Sequence, residues 1–166
     1  MNPPADGSLD VLTVAEVGFD APRALLARYG LELVEVAGGE AIPGSYWGER
    51  EAGLIGHRVY ARADTPMHSL LHESCHLIVL PRERLATVHT DATESVAEED
   101  ATCYLQIVLA DQVPGFGRDR ALADMDAWGY TFRLGSARAW FETDAEDARE
   151  FLIDRGLLDV GGTPKA

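Results

Sequence analysis

His72 and His76 stand four residues apart, with Glu73 directly after the first, in the run His72-Glu73-Ser74-Cys75-His76. On a helix, residues four apart lie on one face, one turn above the other. Two imidazoles so placed can bind one Zn²⁺ and leave positions for a third protein ligand and a water. Glu73 is offset around the helix from both, so its carboxylate reaches the water rather than the metal. A metal of this kind brings the pKa of a water to around 7, and a neighbouring carboxylate can take its proton. The chemistry indicated is attack of an activated water on a carbonyl, most often that of a peptide bond.

These groups need a helix beneath them, and the flanking residues provide one. Met67 to Leu80 is apolar, with Leu70, Leu71, Leu77, Ile78 and Val79 around the motif. Thr65 is placed to cap it, Pro66 fits its first position and Pro81 ends it. Upstream, Asp20-Ala21-Pro22 opens a helix that stops at Gly30, and Leu31 to Val36 reads as a strand. Gly53 to Arg62 reads as short strands joined by tight turns, with one edge exposed. Residues 82–93 are polar and loop-like. Thr93 to Asp111 forms a second strong helix, capped by Thr93 or Ser95, with glutamates in its first turns. Asp119 to Trp128 and Ala145 to Arg155 are two more helices, the last capped by Asp144, and Phe132 to Phe141 is ambiguous between states. Residues 1–10 are expected to be a flexible N-terminus and 161–166 a flexible tail. Between them lies one domain, 11–160, with 112–160 as a helical C-terminal extension. The order is that of a small α+β domain.

A third ligand is required, and no histidine follows His76 closely. The acidic helix is the place for it. Here the chain resembles the gluzincin metallopeptidases, and within them the short minigluzincin and ImmA/IrrE-like peptidases. Those carry H-E-x-x-H on one helix and E-x-x-A-x-x-F-A on the next. Glu98-x-x-Ala101-x-x-Tyr104-Leu105 matches the second pattern, with Tyr for Phe and Leu for Ala. The resemblance covers about residues 30–112. It implies a zincin-like fold, with a short antiparallel or mixed sheet packed on the motif helix and the acidic ligand helix. It implies His72, His76 and Glu98 as zinc ligands and Glu73 as general base. It also implies a substrate paired along Gly53 to Arg62. On spacing alone Glu94 and Glu99 remain rivals for the ligand, as do His89 and Asp91 in the intervening loop. His68 extends the histidine ridge by one more turn, too far along to share the metal, and reads as a surface or supporting residue. Cys75 and Cys103 fall near the site and read as packing. Tyr104, Tyr130, Arg133, Arg138 and His89 are the candidates for a donor to a developing oxyanion.

The net charge of −14 argues against nucleic acid and against an anionic membrane as partner. No stretch reaches the roughly 20 apolar residues of a membrane span, and the N-terminus does not read as a signal peptide. Two cysteines make no disulfide framework. The expectation is a cytoplasmic zinc metallohydrolase acting on a peptide or protein. The alternative is a protein-binding module whose zinc is structural.

Overall fold

The structure is a computed structural model that describes residues 10–45, 50–90 and 95–166 of the chain. It is a mixed α+β arrangement. In chain order the elements are α1 (Val14–Val17), α2 (Asp20–Ala27), β1 (Glu32–Val36), β2 (Gly53–Ile55), β3 (Arg58–Arg62), α3 (Met67–Val79), α4 (Val96–Ala110), α5 (Arg118–Trp128), α6 (Ala137–Thr143) and α7 (Glu146–Asp154). A 3₁₀ helix, Arg82–Thr87, lies in the segment between α3 and α4. No helix among the described residues is long and apolar enough to cross a membrane.

The sheet is three-stranded and mixed, in the order β1-β3-β2. β3 runs parallel to β1, with Glu32 opposite Arg58, and antiparallel to β2, with Leu54 opposite Val59. Leu33, Leu54, Val59 and Ala61 are buried in the core that α3 shares. The expectation of an exposed edge along Gly53 to Arg62 is corrected here. β3 is the central strand and is paired on both sides. The outward N–H of Leu54 in β2 donates to Gly44 O, and its C=O accepts from Thr90 N. The chain's own segments thus take the places a substrate strand would use.

That occupation depends on two glycines. A Cβ on Gly53 would lie 1.9 Å from Pro43 O, and one on Gly44 would lie 2.4 Å from Leu54 O. Both neighbours are backbone, so neither can swing away. Gly53→Ala should therefore push residues 43–45 off β2. A thermal melt should show a loss of about 2–3 kcal/mol, the usual scale for a forced backbone shift. A melt unchanged from wild type would mean that this crossing is not held.

α3 and α4 pack against each other at the centre of the molecule. Ten of the thirteen residues of α3 are buried, and so are all ten from Ala101 to Ala110 in α4. A helix covered all round is a core helix. Burial on that scale explains why polar groups on these two helices bond to one another rather than to water. Ser95 caps α4, its Oγ accepting from Glu98 N. Thr65 does not cap α3: Pro66 occupies the cap position, and Thr65 Oγ1 accepts from Arg62 N instead. At the far end Arg155 of the C-terminal region donates to Val79 O, a carbonyl of the last turn of α3.

The ambiguous stretch before Phe141 resolves into a loop and α6, whose cap is Ser136, its Oγ accepting from Ala139 N. Asp144 does not cap α7; Ala145 holds that position, and Asp144 pairs with Arg133. The tail is tied back, with Lys165 N donating to Leu157 O and Asp159 N to Thr163 O.

Candidate metal centre

The histidine pair lies on the α4-facing side of α3. His72 Nε2 and His76 Nε2 are 3.1 Å apart. One carboxylate faces both: Glu99 Oε1 is 3.2 Å from His72 Nε2, and Glu99 Oε2 is 3.4 Å from His76 Nε2. Glu73 belongs to the same cluster, with one ligand atom of each of His72, Glu73 and His76 within 4.8 Å of the others.

The residue matched to the ligand position by the E-x-x-A pattern, Glu98, is placed differently. Its Oε1 accepts from Arg84 Nη1 at 2.9 Å, which ties the start of α4 to the 3₁₀ helix. Adjacent positions on a helix diverge by about 100°. With Glu98 turned to Arg84, Glu99 is the carboxylate aimed between the imidazoles. Glu94 and Asp91, the other rivals in the acidic segment, lie outside the described residues. His89 is bonded to Thr90 through Nδ1, in the segment paired with β2.

Behind the site is a buried polar network that the sequence reading did not find. His72 Nδ1 is 2.9 Å from Gln106 Oε1. An amide oxygen only accepts, so Nδ1 carries a proton and Nε2 is the nitrogen that faces the cluster. The Gln106 amide NH₂ donates to His68 O at 2.9 Å and to Tyr130 Oη at 3.3 Å. Tyr130 Oη also hydrogen-bonds with His68 Nδ1 at 3.1 Å. The Tyr130 ring also stands edge-on to His72, 5.4 Å between centroids. Gln106 therefore fixes the His72 ring with Nε2 toward the cluster. Its signal in the sequence was a lone Gln inside the apolar run Tyr104 to Ala110. Such outer partners typically contribute 10–100-fold to metal affinity. Gln106→Leu should weaken zinc binding by that range in chelator competition; unchanged affinity would remove the residue from the site.

His68 is fully buried, which corrects the surface reading and leaves it a supporting residue. Its Nε2 has no hydrogen-bond partner among the described residues. Burial, with the neighbouring His72 and Arg50, lowers its pKa to about 3, so it is neutral. Burial and His72 likewise lower His76 to about 3. Burial pulls His72 down as well, but Tyr130, Cys103 and Glu99 around it more than offset that, and its pKa is raised. Two imidazoles and a carboxylate are a donor set that zinc takes.

The proposed oxyanion donors are accounted for elsewhere. Tyr130 Oη is inside the network above. Arg133 pairs with Asp144, and Arg138 with Asp119 and Glu142. Tyr104 packs on Trp140 and Phe141. Cys75 is buried packing, as expected. Cys103 is buried in the core too, and it also groups with His72 and Glu99. A further buried acid, Glu51, accepts from Trp128 Nε1 at 3.4 Å, and burial raises its pKa.

No protein-family model matches the chain, and neither does a curated protein or a solved structure.

Proposed function

We propose that this chain is a zinc-dependent hydrolase of peptide bonds, with His72, His76 and Glu99 as ligands and Glu73 as general base. The observation that carries the reading is the Glu99 carboxylate, within 3.4 Å of both motif imidazoles. It supplies from α4 the third ligand that two histidines on α3 require. A bound zinc would polarise the scissile carbonyl and make a water acidic near neutral pH. Glu73 accepts the proton of the attacking water and passes it to the leaving amine. Gln106 and Tyr130 keep the His72 ring in place during this. The gluzincin resemblance of the two helices supports the same reading, with Glu99 in the role that the pattern gives to Glu98.

A cavity of about 340 Å³ lies between α4 and the C-terminal helices, with Asp100 of α4 on its wall. Phe132 and Trp140 stack 4.8 Å apart on its wall, beside Asp147 and the Arg133–Asp144 ion pair.

The purified protein should contain one zinc per chain by elemental analysis and should cleave members of a peptide library. A chelator should stop the cleavage and added zinc should restore it. A zinc-replete protein that leaves the library and a host lysate intact would favour the second reading, a zinc that only ties α3 to α4. One observation speaks for that reading already: the outward backbone groups of Leu54 are bonded within the chain, so no strand edge stands ready there for a substrate.

A further inference from the structure

Glu99 and Cys103 are four residues apart on α4, just as His72 and His76 are on α3. Two such pairs on helices packed face to face can direct four donor atoms at one point. Two donor groups overlap at His72: one ligand atom from each of His72, Glu99 and Cys103 lies within 4.8 Å of the others, and so does one from each of His72, Glu73 and His76. Glu99 also faces His76, at 3.4 Å. Hydrolytic zinc sites keep three protein ligands and an open position, whereas closed sites have four.

We propose that Cys103 is a fourth zinc ligand in the resting protein, a sulfur that substrate must displace before turnover. The inference rests on the reading of this cluster as a metal centre. Binding forms a zinc–sulfur bond and releases the thiol proton to solvent, with no change of oxidation state. Zinc accepts thiolate readily. Cys103 is 4% exposed, so its sulfur is shielded from solvent. Glu73 then has a carboxylate at the site but no open metal position beside it for a water. The bonded backbone of Leu54 agrees with a closed resting state. Hydrolysis requires the sulfur to leave and the fourth position to open. Cys75 shares α3 with the histidines, yet among the described residues it belongs to no such donor group.

Cobalt substitution tests this without any assay of turnover. The chain is loaded with one equivalent of Co²⁺ and its absorption spectrum recorded. Wild type and Cys75→Ser should both show the near-ultraviolet thiolate-to-cobalt charge-transfer band. Cys103→Ser should bind cobalt without that band. Added thiocyanate should change the visible spectrum of Cys103→Ser, where a position is open, and leave wild type unaltered. Wild type that binds cobalt with no thiolate band overturns the proposal while leaving the metal centre intact. A band that survives in Cys103→Ser and vanishes in Cys75→Ser also overturns it. A thiocyanate response in wild type overturns the closed state. Wild type that binds no cobalt or zinc overturns the metal centre itself, and the proposal with it. The wild-type and Cys75→Ser spectra decide the question even if Cys103→Ser does not fold.

Discussion

Glu99→Ala should lose zinc far more readily than Glu98→Ala. Structural zinc in small peptides is held with roughly 10–16 kcal/mol shared among four ligands, or about 3 kcal/mol each. Removing Glu99 should therefore raise the dissociation constant by about a hundredfold or more. Glu98 acts at one remove, through its bond to Arg84 and its charge near His76. Its loss should cost about tenfold or less, the low end for an outer partner. His72→Ala should match Glu99→Ala. Chelator competition measures all three. The zinc-dependent rise in melting temperature gives a second readout, since a ligand that binds only the folded state stabilises it by mass action. A larger loss for Glu98→Ala than for Glu99→Ala would rotate α4 about its axis relative to α3 and return the ligand role to the E-x-x-A position.

Glu73→Gln should keep the zinc and lose the hydrolysis. The substitution preserves size and hydrogen-bonding capacity but cannot take a proton at neutral pH. General-base assistance contributes typically 10²–10⁴-fold, so turnover should fall by roughly 10³-fold with metal content unchanged. Metal content must be measured on the same sample, because Glu73 clusters with both imidazoles and its charge helps any cation there. Turnover equal to wild type in a zinc-replete Glu73→Gln would dismiss the mechanism. Loss of both zinc and turnover would make Glu73 part of the metal's electrostatics rather than the base.

The histidine pair, its helix and the acidic helix that faces it were legible in the residues, because each is a local property. A spacing of four puts His72 and His76 on one face wherever the helix sits. The apolar run around them makes that helix a core element, and glutamates in a first turn mark a helix start. The class of fold and the strand of residues 32–36 followed from patterns of the same short range. The choice among Glu94, Glu98 and Glu99 did not, for it depends on how α4 is rotated about its axis. That rotation is set by which side chains pack against α3 and by Arg84, fourteen residues away, which turns Glu98 aside. Gln106 escaped notice, and Tyr130 was read as an oxyanion donor rather than as part of a buried network, for a similar reason: a lone Gln in an apolar helix looks like a defect until the buried His72 Nδ1 it satisfies comes within 2.9 Å. Strand order was equally out of reach. Gly53 to Arg62 has the composition of an edge, but three-dimensional pairing puts β1 on one side of β3 and β2 on the other, and the close approach allowed by Gly44 and Gly53 brings residues 43–45 onto β2. Spacing along the chain determined which residues could do chemistry; helix rotation and strand pairing, which arise only when distant segments compete to bury their surfaces, decided which of them meet.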